Sequence, residues 1–220
     1  MRLVIFDMDG TLIDTQALIS EHMASAFQAV GLEPPRPTEV RRVIGLSLPI
    51  AISRLAADAD AQTVERLVET YRSHYRAGLV RDEDREGLFP GARKVLEVLS
   101  ADPATLLGIA TGKGLSGVNR ILSVHELAPY FVTLQTPDHN PSKPHPGMVL
   151  RAIDETGAEA ASTVMVGDTT FDIEMGRAAG VATIAVSWGY HEPQDLLKSG
   201  ADILIDDFDQ LSGAIDQVLA

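Results

Sequence analysis

The apolar run Leu3-Val4-Ile5-Phe6 leads straight into Asp7-Met8-Asp9, followed by Gly10-Thr11. Two carboxylates one residue apart repel each other, and ending a buried strand on them is costly unless a ligand offsets the charge. The same kinds of residue close other apolar runs. Thr111-Gly112-Lys113 follows 106–110, and Gly167-Asp168-Thr169-Thr170-Phe171-Asp172 follows 163–166. Lys143 sits before the latter run in Ser142-Lys143-Pro144-His145-Pro146. Several carboxylates converging on one point can hold a hard divalent cation, and Mg²⁺ takes oxygen ligands while keeping some of its waters. The Thr111 hydroxyl and the backbone N–H groups of Gly10, Thr11 and Gly112 could hold phosphate oxygens, with Lys143 supplying positive charge. One aspartate could then attack phosphorus, and a second, two residues on, could protonate the leaving alkoxide and later activate water.

Each residue also has a plain structural explanation. Thr111 suits a strand, Lys143 suits a surface, and Thr169 with Asp172 reads as a helix capping box. What favours chemistry is that a hydroxyl, an ammonium and several carboxylates all fall on one rim of one sheet, because ligands gather at the carboxyl ends of parallel strands.

The elements that must position them are legible as short, β-rich runs at 3–6, 106–110, 131–134, 163–166, 181–186 and 203–205. These are nearly continuous in apolar residues, as parallel strands buried on both faces require. Helical patterns lie between the later runs, at 90–100, 146–156 and 170–179, the last two stopping at Gly157 and Gly180. The alternation predicts an α/β fold: a Rossmann-like parallel sheet core with helices on both faces. Residues 14–86 break the pattern. Helices are expected at 20–30, 48–57 and 62–76, with a stiff turn at Pro34-Pro35-Arg36-Pro37 and no strand. The expected organisation is therefore a core made of 1–13 and 87–220, with a small all-helical cap at 14–86.

The chain has 220 residues, 45% of them hydrophobic and 22% charged, and a formal net charge of −13. Such an acidic chain is a poor match for nucleic acid or an anionic membrane, both of which call for clustered Lys and Arg. It contains no cysteine, which excludes disulfides, thiolate catalysis and zinc–thiolate sites. No run is long enough to cross a bilayer, and the first strand begins too early to leave space for a signal peptide, so a cytoplasmic location is expected.

At this point the sequence resembles the haloacid dehalogenase-like superfamily of phosphohydrolases. Asp-Met-Asp-Gly-Thr at 7–11, Ile-Ala-Thr-Gly-Lys at 109–113, Lys143 and Gly-Asp-Thr-Thr-Phe-Asp at 167–172 resemble its four motifs in order and spacing. The resemblance implies Asp7 as nucleophile and Asp9 as general acid/base that also lends its backbone carbonyl to Mg²⁺. It implies Asp168 as a metal ligand, Asp172 as support for the metal site or Lys143, and Thr111 and Lys143 as ligands of the transferring phosphoryl. Gly-Leu-Phe-Pro-Gly-Ala-Arg at 87–93 and Val-Ser-Trp-Gly-Tyr at 186–190 resemble phosphoglycolate phosphatases in particular. The implied activity is hydrolysis of a small phosphorylated substrate by a monomer or homodimer. A phosphomutase of the β-phosphoglucomutase type and a pyrophosphatase are the alternatives. A phospho-receiver signalling domain shares the residue types but not their order. Arg41, Arg42, Gly45, Ser47 and His22 are the expected readers of the leaving group, with Trp188 and Tyr190 as further cleft candidates.

Overall fold

The computed structural model describes residues 1–78 and 85–220. In chain order the elements are β1 (Arg2–Phe6), β2 (Ile13–Asp14), α1 (Gln16–Val30), α2 (Pro37–Arg41), α3 (Leu48–Leu55), α4 (Ala61–Gly78), β3 (Gly87–Leu88) and α5 (Ala92–Ser100). They continue with β4 (Thr105–Ala110), α6 (Leu115–Val124), β5 (Phe131–Gln135), α7 (Gly147–Thr156), β6 (Thr163–Gly167), α8 (Thr170–Ala178), β7 (Ala182–Val186), α9 (Pro193–Lys198), β8 (Ile203–Ile205) and α10 (Leu211–Val218).

The main sheet is parallel with strand order β5-β4-β1-β6-β7-β8. Burial on both faces explains the unbroken apolar runs. Val4 and Phe6 of β1 pack into one core with Leu96 of α5, Ile121 of α6 and Ile215 of α10. Leu3 and Ile5 face a second core with Met148 and Val149 of α7 and Met175 of α8. Strand direction alternates side chains between the two faces, so a strand sandwiched this way needs apolar residues at every position. The chain begins in the middle of the sheet at β1, builds outward through β4 and β5, and returns past β1 to β6. The crevice at this reversal, beyond the carboxyl ends of β1, β4 and β6, is where such sheets bind ligands.

All six expected strands are present. The expected helices are present too, while α2, α6, α9 and α10 are additional. Proline occupies the first turn of α2, a position where its missing N–H costs nothing, so the proline-rich stretch leads into a helix. Gly117 lies inside α6, where a Cβ would come 3.0 Å from the Lys113 side chain.

The helices α1 to α4 fall between β2 and β3, two-residue strands that pair antiparallel through Ile13–Leu88 and Asp14–Gly87. These helices share their own core: Met23 and Phe27 of α1, Val40 of α2, Ile52 of α3 and Leu67 of α4. Tyr190, from the loop after β7, is buried in the same cluster. Among the described residues no helix is long and apolar enough to cross a membrane.

Candidate active site

The end of β1 turns at once. The Met8 carbonyl accepts N–H bonds from Thr11, Leu12 and Ile13 at 2.9–3.2 Å, and Gly10 donates to the Ile13 carbonyl at 2.8 Å. Gly10 has φ +91°, and a Cβ on it would lie 2.2 Å from Asp168 Oδ2. Glycine is thus required twice here, by the turn and by the neighbour. The expectation that the Gly10 and Thr11 amides hold phosphate needs correction: this turn uses both N–H groups internally.

Asp7 is fully buried. Its Oδ1 accepts from the Met8 N–H at 2.7 Å and from Lys143 Nζ at 3.0 Å, while its Oδ2 has no partner. Burial pushes the Asp7 carboxyl up to about 7, with Asp172 and Asp9 adding to the rise and Lys143 opposing it. Lys143, equally buried, reaches Asp172 Oδ1 at 2.5 Å. Burial alone would lower its ammonium, but Asp172 and Asp7 hold it above the ordinary lysine range. The peptide bond from Lys143 to Pro144 is cis.

Asp168 follows β6. Its Oδ1 accepts from the Thr11 hydroxyl at 2.8 Å and its Oδ2 from the Tyr190 N–H at 2.8 Å. A Cβ on Gly189 would lie 2.1 Å from the Asp168 side chain, so glycines close on this carboxylate from both sides. Burial, then repulsion from Asp172 and Asp7, raises its carboxyl well above the usual range. Asp172 makes two sets of contacts. Its Oδ2 accepts from the N–H and hydroxyl of Thr169 at 3.0 and 2.7 Å, closing the capping box of α8, while Oδ1 holds Lys143.

Oxygens of Asp7, Asp168 and Asp172 all lie within 4.8 Å of one another. One buried ammonium faces three buried carboxylates, and one carboxylate oxygen is unpartnered. An all-oxygen set with this charge deficit fits a hard divalent cation. The third carboxylate of the cluster is Asp172, whereas the Asp9 side chain turns away. Asp9 Oδ1 accepts from the Thr15 hydroxyl at 2.7 Å and pairs with Lys113 Nζ at 3.1 Å. Burial would lower the Lys113 ammonium, but Asp9, with Tyr75 and Tyr71, holds it above the ordinary range. Thr111, at the end of β4, is buried, and its hydroxyl accepts from the Lys113 N–H at 3.3 Å. Gly112 is required because a Cβ there would lie 2.5 Å from the carbonyl oxygens of Gly45 and Leu46.

That contact brings the helical insertion against the carboxyl-end rim of the sheet. Beside it is a cavity of about 530 Å³ lined from the sheet side by Asp9, Lys113 and Ser142, and from the insertion by Ile44, Gly45 and Ser47. Ser47 donates its N–H to the Ser142 hydroxyl at 2.8 Å. Three of the expected leaving-group readers do not line this cavity. Arg41 spends its guanidinium on backbone carbonyls of the loop after β7, Tyr190 at 2.5 Å and Gly189 at 3.3 Å. Arg42 is exposed, and His22 packs edge-on against Tyr71 and Tyr75. Trp188 and Tyr190 are also structural: the indole N–H donates to the Thr11 carbonyl, and the Tyr190 hydroxyl accepts from the Thr15 N–H. The cations that do reach the cavity are Lys113, Arg72 and Arg76. Their only sequence signal was a lysine one residue beyond Thr111-Gly112 and an arginine pair at helical spacing on α4.

Comparison with known proteins gives the family and the fold. Residues 4–186 match the family model described as haloacid dehalogenase-like hydrolase. The chain is 35% identical over 221 residues to the "Probable phosphatase IndB" of Dickeya dadantii (strain 3937), covering 99% of this chain and 94% of that protein. It is 30% identical to the phosphoglycolate phosphatase of Agrobacterium fabrum (strain C58), covering 99% of this chain and 93% of that one. A crystal structure of a hydrolase from Pseudomonas syringae superposes with a TM-score of 0.87 over all of both chains at 24% identity, which speaks for the fold. The chain belongs to the haloacid dehalogenase-like hydrolase family, on the branch of its phosphoglycolate-phosphatase-like phosphatases.

Proposed function

We propose that this protein is a Mg²⁺-dependent phosphatase that hydrolyses a small phosphomonoester through an aspartyl phosphate on Asp7. The observation that carries the reading is Asp7 Oδ2, a fully buried carboxylate oxygen with no hydrogen-bond partner. A buried acceptor left without a donor is costly, and here the cost suits an atom that must attack or bind a metal. Asp7, Asp168 and Asp172 would hold the ion, with the Asp9 backbone carbonyl beside them. When bound, Mg²⁺ would offset the carboxylate charge and that of the phosphoryl oxygens.

Asp7 Oδ2 attacks phosphorus and the bond to the leaving oxygen breaks. Asp9, which lines the cavity where the leaving group would sit, gives that oxygen its proton. The same carboxylate then takes a proton from water, whose oxygen attacks phosphorus. The bond to Asp7 breaks, and inorganic phosphate leaves. Lys143 stays between Asp7 and Asp172, holding the nucleophile in place and neutralising the phosphoryl. The Thr111 hydroxyl, on the same rim, binds a phosphoryl oxygen.

In this reading residues 14–86 act as a cap over a core of 1–13 and 87–220, closing on substrate and excluding water. The acidic charge and the absence of a membrane-spanning helix among the described residues are compatible with a cytoplasmic enzyme acting on a soluble metabolite, as monomer or homodimer. The test is inorganic phosphate release over many turnovers from a panel of phosphomonoesters, with and without EDTA, for wild type and Asp7→Asn. The variant and the chelated enzyme should both be inactive. Turnover by Asp7→Asn would overturn the assignment of the nucleophile. Transfer to a second sugar without phosphate release would mark a mutase, and cleavage of pyrophosphate alone a pyrophosphatase.

A further inference from the structure

Phe171 lies between two carboxylates of the buried cluster, Asp168 and Asp172, yet its ring leaves the core. Elsewhere α8 packs on the sheet: Ile173 shares a cluster with Ala185 of β7, and Met175 with Leu3 and Ile5 of β1. Phe171 turns the other way. It is buried with Val43, Leu46 and Ala51, all from the insertion. Arg54 of α3 lies over its ring, 5.2 Å from the centroid, and His191 meets it edge-on at 5.2 Å. Gly45 fits against the same turn: it has φ +100°, and a Cβ on it would lie 3.1 Å from the Thr169 hydroxyl and 3.5 Å from the Phe171 ring.

The turn that carries this ring also carries the carboxylates. Thr169 holds Asp172 Oδ2 through its N–H and hydroxyl. The Thr170 N–H donates to His191 Nδ1 at 3.1 Å, and the His191 N–H donates to the Asp168 carbonyl at 3.3 Å. The insertion grips the neighbouring loop as well. Arg41 holds the Gly189 and Tyr190 carbonyls, and the Tyr190 N–H holds Asp168 Oδ2. Two separate parts of the insertion, α2 and the 43–55 stretch, thus fasten the backbone on either side of Asp168 without bonding to its carboxylate.

From this we infer that Phe171 is a positioning residue for the cation: seated in the insertion, it fixes the 168–172 turn, so that docking of the insertion and binding of Mg²⁺ by the carboxylate cluster strengthen each other. A turn released from the insertion lets Asp168 and Asp172 move apart under their mutual repulsion, and a cation then spends binding energy on gathering them again. Such coupling is reciprocal: the factor that the docked insertion adds to cation affinity is the factor that the cation adds to docking. The inference rests on the Mg²⁺ site of the phosphatase reading.

The experiment titrates Mg²⁺ alone into the whole chain, by calorimetry and without substrate, for wild type, Phe171→Ala, Phe171→Leu and Leu46→Ala. Loss of the support behind a metal ligand costs about ten- to a hundred-fold in affinity, and a packing support belongs at the lower end. Phe171→Ala should therefore raise the Mg²⁺ Kd about ten-fold, and Phe171→Leu, which refills most of the space, about two-fold. Leu46→Ala empties the same contact from the insertion side and should raise the Kd about five-fold. Amide hydrogen exchange over 43–55 reads the reverse direction: saturating Mg²⁺ should slow it in wild type and change it little in Phe171→Ala. Far-UV circular dichroism establishes that each variant is folded, and Leu46→Ala keeps the comparison should Phe171→Ala not fold. If Phe171 merely fastens the insertion, exchange over 43–55 quickens while the Mg²⁺ Kd of every folded variant stays within about two-fold of wild type. That result would overturn the inference and leave the phosphatase reading standing, whereas failure of wild type to bind Mg²⁺ would remove the cation site from both.

Discussion

Lys143→Met removes the ammonium between Asp7 and Asp172 while keeping nearly the same side-chain volume. Its Nζ lies 3.0 Å from one carboxylate and 2.5 Å from the other, and all three side chains are fully shielded from solvent. The variant leaves Asp7, Asp168 and Asp172 within 4.8 Å of one another with no counter-charge. Breaking a buried pair by deleting one partner costs about 3–5 kcal/mol, because the stranded charge remains buried. For a chain of this size about 1 kcal/mol moves Tm by roughly 2–4 °C, so the expected drop in EDTA at pH 7.5 is roughly 6–20 °C. The carboxylates can escape the penalty by taking up protons. Asp7 already does so near pH 7 in the native protein, so the drop should shrink at pH 5.5. Saturating Mg²⁺ should also recover part of it, since a cation would replace the missing charge. Thermal denaturation followed by circular dichroism reads all three conditions. A shift below about 3 °C in EDTA at pH 7.5 would mean that less than about 1.5 kcal/mol is involved. The three carboxylates would then not depend on Lys143 for their charge balance.

The chelated wild type should show its own pH dependence. Asp7 has a folded value of about 7 against an ordinary 3.8, and Asp168 is also raised, so between about pH 4 and 7 the native state binds more protons than the unfolded one. Stability in EDTA should therefore fall as pH rises through that window, and the Tm gain on adding Mg²⁺ should be larger at pH 7.5 than at pH 5; an equal gain at both would refute this. Asp9→Asn should slow alkyl phosphates far more than p-nitrophenyl phosphate, whose phenolate departs without a proton, and should let the aspartyl phosphate accumulate to detection by acid quench. Equal losses with no trapped intermediate would reduce Asp9 to a shaping role. Arg41→Ala should weaken every ester by a similar factor, up to about ten-fold, because it releases the 189–190 carbonyls and so loosens the Tyr190 N–H that holds Asp168. A loss confined to one leaving group would instead make Arg41 a substrate reader.

The sheet was legible because its strands are buried on both faces. Sandwiching forces runs such as Leu3-Val4-Ile5-Phe6 to be apolar throughout, and the polar residues then stand out where those runs stop. Asp7 and Asp168 stand out at strand ends for the same reason, and Lys143 and Asp172 join them from the loop before α7 and the first turn of α8. What stayed hidden depends on which face of a helix meets which neighbour. Arg41 and Arg42 close α2 just before Gly45, yet tertiary contacts turn Arg41 toward the loop after β7 while Arg42 is exposed to solvent. Nothing in the sequence sets Arg72 and Arg76 apart on their helix, and only the placement of α4 brings them to the cavity. The β2–β3 pair was invisible because two residues carry no periodicity. The turn amides of Gly10 and Thr11 were misjudged because a glycine-rich turn after a strand can satisfy itself as readily as it can cradle an anion.

The β2–β3 ribbon also bears on how this chain can change. The roughly 70 residues between Asp14 and Gly87 enter and leave through two strands that hydrogen-bond to each other, so to the sheet they are a single closed loop. Closing such a loop costs about 4 kcal/mol, and doubling its length would add only about 0.6 kcal/mol. An insertion of different length or helix count could be exchanged at this point for little more than the value of one hydrogen bond, leaving the strand ends that carry Asp7 and Asp168, and the loop that carries Lys143, where they are. Recognition of the leaving group can therefore drift through exchange of whole segments at a rate set by the ribbon, while the phosphoryl chemistry stays under the much stricter selection of a buried charge cluster.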